Sequence, residues 1–141
     1  MTDPALLLMR LGYAALLLGF HGGPRFMRAS HFLLTGEPWA FVDLVAQLGL
    51  PFAPAFAVAS ALSESVGAAL VAAGLWTRVA ASAIAVNMAV AVFHEAAKGD
   101  PTELPALYLL GAVVVALSGG GRFSIDAWRG SARDVDQRAP R

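Results

Sequence analysis

Apolar residues of this chain collect in four long runs, which cover residues 4–21, 54–75, 78–94 and 101–118. Each run approaches the roughly 20 residues that a helix needs to cross a bilayer. Inside lipid a segment must satisfy its backbone hydrogen bonds internally, and a helix does so. The pattern therefore predicts an all-α integral membrane protein, a four-helix bundle of transmembrane helices.

The loops between these runs differ greatly in length. Only Trp76 and Thr77 separate the second run from the third, which predicts a tight antiparallel hairpin. The first loop, residues 22–52, is much longer and contains an amphipathic stretch from Trp39 to Leu48. One face of that stretch carries Phe41, Leu44, Val45 and Leu48. We predict a short interfacial helix here, with Trp39 at the depth of the lipid headgroups.

The composition supports the membrane class. Of the 141 residues, 57% are hydrophobic and 14% are charged, whereas about a quarter of the residues in a soluble domain are charged. The length fits one domain, residues 1–130, followed by a polar tail, residues 131–141. The chain has no cysteine, which excludes disulfide exchange and thiolate-held metals. Ten basic residues balance ten acidic residues, so no overall field recruits nucleic acid.

Basic residues are distributed unequally between the two sides of the predicted bundle. The side with the N-terminus, the second loop and the tail carries six arginines: Arg78, Arg122, Arg129, Arg133, Arg138 and Arg141. The other side carries Arg25, Arg28 and Lys98. Because basic residues are retained on the cytoplasmic face, we predict a multi-pass protein of the inner (plasma) membrane with both termini in the cytoplasm.

Two ionisable residues fall inside the predicted spans, where a charge is costly and marks a functional candidate. Glu64 lies roughly 15 Å from either end of its helix, near the middle of the bilayer. Arg10 lies about two turns inside the first span. The sequence leaves three interpretations open: a structural ion pair between Arg10 and Glu64, a Glu64 that handles protons or substrate, and a neutral, hydrogen-bonded Glu64.

A second group of candidates lies where three spans reach the outer face. His21 ends the first span, His94 ends the third, and Glu103 begins the fourth. Two imidazoles and a carboxylate could ligate a divalent metal or relay protons. The structural alternatives are two interfacial histidines in water and a capping role for Glu103, three residues after Asp100. Nothing in the spacing fixes the distances between these residues, and we assign no metal ligands.

Several short motifs follow one another along the chain. They are Arg10-Leu11-Gly12, Leu18-Gly19-Phe20-His21-Gly22, Leu48-Gly49-Leu50-Pro51, Glu64-Ser65-Val66-Gly67, Gly74-Leu75-Trp76-Thr77-Arg78, His94 with Glu103, and Gly119-Gly120-Gly121-Arg122-Phe123-Ser124-Ile125-Asp126. Their order resembles the DoxX family of small membrane proteins, over roughly residues 5 to 128. The sequence differs from the usual family pattern at Gly120, where proline is frequent, and at Arg25, where lysine is frequent.

This resemblance implies a four-helix membrane protein that is, in some relatives, a subunit of a thiosulfate:quinone oxidoreductase and, in others, a membrane partner of redox enzymes. Our first hypothesis is a quinone-linked oxidoreductase subunit that acts with a redox partner protein. Its catalytic proton-handling residues would be Glu64, His94, Glu103 and His21. The alternatives are a small proton-coupled transporter, a class that usually works as a homo-oligomer, and a non-catalytic membrane anchor.

Overall fold

The computed structural model describes residues 3–130, and all of the regular secondary structure in that range is helical. The predicted polar tail, residues 131–141, lies outside the described residues. Residues 125–130 form a further short helical stretch. The main elements are α1 (Asp3–Leu17), a π-helical turn (Leu18–Gly22), α2 (Gly23–Thr35), α3 (Ala40–Ala46), α4 (Ala53–Ala73), α5 (Thr77–Lys98) and α6 (Glu103–Ser118).

Three helical segments within residues 3–130 are long and apolar enough to cross a membrane. They are Asp3–Thr35, Ala53–Ala73 and Thr77–Lys98. The apolar helix Glu103–Ser118 is shorter. The chain is therefore an all-α protein with the helices of a membrane protein, and the predicted boundaries of the last three runs lie close to those of α4, α5 and α6.

The first segment differs from the prediction. We expected a span that ends at residue 21 and a loop that begins at Gly22, but the chain remains helical to Thr35. The connection is the π-helical turn, in which the Gly23 N–H donates to the Leu18 carbonyl five residues earlier. Pro24 is accommodated because it occupies the first turn of α2, where a missing N–H costs little. The helix ends instead at Gly36, which adopts a φ of 73°.

Two glycines make the π-helical turn possible. A methyl group at Gly22 would lie 3.1 Å from the Ser65 Cα and closer still to the Glu64 carbonyl. A methyl group at Gly23 would lie 2.8 Å from the Leu18 carbonyl oxygen. The absence of side chains here lets the turn pack directly against the middle of α4.

One end of the bundle is formed by the start of α1, the α4–α5 turn and the chain after α6. The Asp126 carboxylate accepts hydrogen bonds from the Trp76 N–H at 2.8 Å and from the Thr77 N–H and hydroxyl at 2.9 and 2.8 Å. It therefore caps α5 from a distant part of the chain. Although burial by itself raises the pKa of Asp126, these hydrogen bonds and the Arg129 charge hold that pKa below its ordinary value.

The α3 helix is observed within the predicted stretch, at Ala40–Ala46. Trp39 is only 6% exposed and packs in a cluster with Ala29, Val45, Ala57 and Ala61. Its ring also contacts the Phe32 and Phe41 rings, at centroid distances of 6.1 and 5.2 Å. We expected Trp39 to face the lipid headgroups. Its ring instead packs inside the protein, because α3 folds back on α2 and α4. An interfacial position for α3 stays a prediction.

Candidate functional site

Glu64 lies near the middle of α4, about 15 Å from either end of that helix. The residue is fully buried, at 0% exposure. Its Oε1 accepts a hydrogen bond from the Asn87 side-chain amide of α5 at 2.8 Å and pairs with the Arg25 guanidinium of α2. Its Oε2 is buried and has no hydrogen-bond partner among the described residues. A carboxylate in the apolar interior thus has one oxygen with two partners and one oxygen without a partner among the described residues, an arrangement that calls for an explanation.

Two tyrosines lie near this carboxylate, and an imidazole packs against one of them. The His21 ring lies edge-on to the Tyr108 ring, at a centroid distance of 5.1 Å. The Tyr13 ring packs 6.0 Å from the same ring, and its hydroxyl donates to the Tyr108 carbonyl at 2.9 Å. Both phenols are close enough to Glu64 for its charge to act on them. We refer to the six residues Tyr13, His21, Arg25, Glu64, Asn87 and Tyr108 as the Glu64 cluster.

The Glu64 cluster reaches the surface of the helices. The Arg25 side chain is 33% exposed, and His21, Asn87 and Tyr108 are also partly exposed. Arg25 additionally lies over the Phe41 ring of α3, with its guanidinium carbon 4.4 Å from the ring centroid, in a cation–π contact. A buried carboxylate in the middle of α4 is therefore accompanied by half-buried polar groups.

Arg10 does not pair with Glu64, and the predicted ion pair is wrong. The Arg10 side chain is 1% exposed and donates to four backbone carbonyls, those of Val71, Ala72 and Phe123 at 3.1 Å each and that of Gly120. The last carbonyls of a helix lack intrahelical donors, and those at the end of α4 find them in this guanidinium. Glu64 instead pairs with Arg25, which the continuous first helix carries into the bundle.

The remaining predicted site residues separate from one another. His21 lies in the Glu64 cluster, with its ring against Tyr108 and next to Gly22, which packs on the middle of α4. His94 is buried at 7% exposure, and its Nε2 has no hydrogen-bond partner among the described residues. Glu103 is exposed at the start of α6. Within residues 3–130, no three His, Asp or Glu side chains converge as metal ligands. Proton handling by these residues stays a prediction.

Sequence reasoning missed the most direct partner of Glu64. Arg25 was assigned to an outer loop because the first apolar run was taken to end at residue 21. Tyr13 and Tyr108 were overlooked as well, although a tyrosine inside an apolar run must place its hydroxyl against a partner. That requirement is the signal that could have found them.

Two surface pockets lie at the ends of the bundle, away from Glu64. One of about 380 Å³ lies between α2 and α3 and is lined by Arg28, His31, Glu37 and Trp39. The other, of about 300 Å³, is lined by Arg78 and Asp126 beside the glycines that follow α6. Their polar groups are ordinary surface groups, whereas the Glu64 carboxylate is held in the interior at an energetic cost. We therefore take the Glu64 cluster as the candidate site.

Comparison with known proteins bears on the same region. The model of the DoxX family matches residues 5–95. No curated protein and no solved structure matches the chain. The matched range includes Tyr13, His21, Arg25, Glu64 and Asn87, so that five of the six residues of the cluster lie in the part of the chain that carries the likeness.

Proposed function

The chain belongs to the DoxX family of membrane proteins, and from that premise we propose that it is a quinone-linked redox protein that acts with a partner enzyme. The head group would bind at the Glu64 cluster. The observation that supports this proposal is the buried Glu64 carboxylate, whose Oε2 has no partner among the described residues, at mid-depth among half-buried donors.

The donor set of the cluster fits a quinone head group. A bound quinone accepts two electrons and two protons and has two carbonyl oxygens that accept hydrogen bonds. Arg25, His21 and Tyr108 carry N–H or O–H donors suited to such oxygens, and the Tyr108 ring offers an apolar face. Glu64 can hold a proton at Oε2 and return it. The chain has no cysteine to relay electrons, so the proposal includes a redox partner protein.

The topology that we propose for this function has four spans, with α6 as the fourth. Arg78, Arg122 and Arg129 lie at the end formed by the α4–α5 turn and the chain after α6. With Arg25 drawn into the bundle, Arg28 and Lys98 remain for the opposite end. This imbalance favours the inner membrane with both termini in the cytoplasm.

The topology can be measured because the chain has no native cysteine. Single replacements Gly99→Cys and Gly130→Cys place one thiol at each end of the bundle. We expect a membrane-impermeant thiol reagent to label Gly99→Cys in intact cells and Gly130→Cys only in inverted membranes. The reverse labelling would overturn the proposed orientation.

Quinone binding tests the function directly. Protein purified in mild detergent is titrated with a short-chain ubiquinone, and binding is followed by quenching of tryptophan fluorescence. We expect saturable binding that Arg25→Gln weakens about tenfold, the effect of losing one hydrogen bond of roughly 1.4 kcal/mol. Arg28→Gln, one turn further along α2 and exposed, is the matched control and should bind as the unmodified protein does.

The same variants separate this proposal from its rivals. Absence of quinone binding in the unmodified protein would refute it. Proton flux coupled to a substrate in proteoliposomes would instead favour a transporter. If Glu64→Gln lowers the amount of protein in the membrane and changes no binding per molecule, the chain is a membrane anchor.

A further inference from the structure

Two buried side-chain atoms have no hydrogen-bond partner among the described residues. They are Glu64 Oε2 and His94 Nε2. Burying a polar atom without a partner costs about 1–3 kcal/mol, so each such atom in a native protein calls for an explanation. Both belong to groups that can take up and release a proton.

The packing of α4 on α5 places these two groups along one line. Asn87 donates to Glu64, and a methyl group at Gly67 would lie 3.3 Å from Ile84 Cγ1. The helices are thus antiparallel and in one-to-one register, which puts His94 at the level of Ala57. His94 is seven residues beyond Asn87, so it lies on the same face of α5 about 10 Å further along the helix.

The helix faces between Glu64 and His94 carry alanines. On α4 these are Ala57 and Ala61, both fully buried and packed in one cluster with Trp39, which precedes α3. On α5 the residue between Asn87 and His94 on the same face is Ala91. From His94 the end of α5 at Lys98 is about 6 Å away, a single turn. The line from Glu64 toward this end therefore passes small side chains of α4 and α5, the Trp39 cluster and one proton-carrying group.

Between Glu64 and the other end of the bundle, large buried side chains and a fixed positive charge block the passage of protons. Leu17 and Ile84 are fully buried between the level of Glu64 and that of Arg10, and they pack in one core cluster with Ala68. Beyond them the Arg10 guanidinium is a fixed positive charge bonded to four carbonyls. A fixed cation on a narrow path is an electrostatic barrier to protons.

We propose that His94 is a proton relay through which Glu64 exchanges protons with the end of the bundle formed by α2, α3 and the α5–α6 turn. The imidazole takes a proton from water at that end and releases one toward Glu64, where an O–H bond forms at Oε2 as an N–H bond breaks. Water molecules carry the proton over the remaining distance. Glu64 itself is faced by Tyr13 from α1, His21 from the π-helical turn, Arg25 from α2, Asn87 from α5 and Tyr108 from α6.

The inference rests on the proposed function only for the role of Glu64 as a proton-exchanging group, so its test contains no quinone. Full-length protein in lipid nanodiscs is subjected to a rapid pH jump. The infrared band of the Glu64 carboxylic acid, identified by its absence in Glu64→Gln, then reports how fast this residue gains or loses its proton.

We expect His94→Gln to slow that exchange about 100-fold, at the lower end of what a positioned proton-transfer group contributes. In His94→Ala, added imidazole should restore the rate, a response that a purely structural role would not give. His31→Gln alters an exposed histidine at the same end and should leave the rate unchanged. Ala91→Leu, which narrows the route, should also slow the exchange, and it serves if the His94 variants do not accumulate.

Unchanged exchange in His94→Gln or in Ala91→Leu would overturn the relay. So would a slowed rate in His94→Ala that imidazole does not restore. Loss of quinone binding with a slow His94→Gln exchange would refute the proposed function and leave the relay in place. Quinone binding together with an unchanged exchange rate in His94→Gln would refute the relay and leave the proposed function in place.

Discussion

Arg10 and Arg25 are expected to differ in their energetic coupling to Glu64. Arg25 pairs directly with this carboxylate, whereas Arg10 bonds only to backbone carbonyls of the described residues. A double-mutant cycle measures whether two residues act on each other, since residues without a shared partner give additive effects within about 0.5 kcal/mol. The informative experiment is a pair of cycles that share the change Glu64→Leu.

The magnitudes follow from the contacts. Hydrogen bonds to a charged group contribute about 1.5–3 kcal/mol each and are not additive. We expect Arg10→Leu to lower the free energy of unfolding by about 3–5 kcal/mol, as does removal of a partner from a buried charged contact. The Arg25 cycle should show a coupling of about 2 kcal/mol, below the range for fully buried pairs because Arg25 is one-third exposed.

The assay is unfolding of all forms in one detergent at one pH, followed by circular dichroism as the fraction of dodecyl sulfate is raised. In the Arg10 cycle the double variant should lose the sum of the two single losses. In the Arg25 cycle the double variant should be more stable than that sum predicts. Coupling between Arg10 and Glu64, or additivity between Arg25 and Glu64, would show that the assignment of partners is wrong.

Two further predictions concern the packing around this site and the cap on α5. Gly22→Ala should lower the free energy of unfolding by about 1–3 kcal/mol, because the added methyl group meets the α4 backbone. The control is Gly12→Ala, where a methyl group meets no atom within 4 Å. Equal losses of stability in the two variants would contradict the reasoning. The pKa of Asp126 is lowered in the folded protein, so its contribution is present above its ordinary pKa and lost as the pH falls through the folded value. Asp126→Asn should therefore be less stable than the unmodified protein at pH 7, and this difference should shrink in acid; a constant difference in dodecyl sulfate unfolding at each pH would refute the cap.

The apolar pattern was sufficient for the last three helices and insufficient for the first. The second and fourth apolar runs end at or next to glycines, and a short turn separates the second run from the third, so hydropathy and helix boundaries agree to within a few residues. The largest difference is at α5, which continues to Lys98 beyond the predicted end at residue 94. After residue 21 they disagree, because α2 is polar on one face and contains Gly23 and Pro24 in its first turn. Its helix is held by packing of Gly22 on α4 and by the π-helical turn, which are tertiary contacts that a local pattern does not contain.

In the Glu64 cluster, too, one feature could be predicted from the local sequence and the others depend on tertiary contacts. That Glu64 is central followed from its position in the second apolar run, since a carboxylate at mid-depth is costly. Its partner Arg25 could not be predicted, because the position of Arg25 along the bundle depends on where the first helix ends. The partners of Arg10 could not be predicted either, since Gly120 and Phe123 lie more than a hundred residues from Arg10 in the sequence.

The separate partners of the two arginines have a consequence for how Glu64 can work. If Arg10 were its counter-ion, each protonation of Glu64 would leave a buried cation unpaired and weaken the end of the bundle near Asp126. The carbonyls that hold Arg10 do not titrate, so protonation of Glu64 should leave the contacts at that end of the bundle unchanged. Arg25, by contrast, is partly exposed and has a second contact with the Phe41 ring, which it keeps when Glu64 is neutral. Proton uptake by Glu64 should therefore change the contacts of Arg25, which lies on α2 and contacts α3, at the end of the bundle where we propose that His94 delivers the proton.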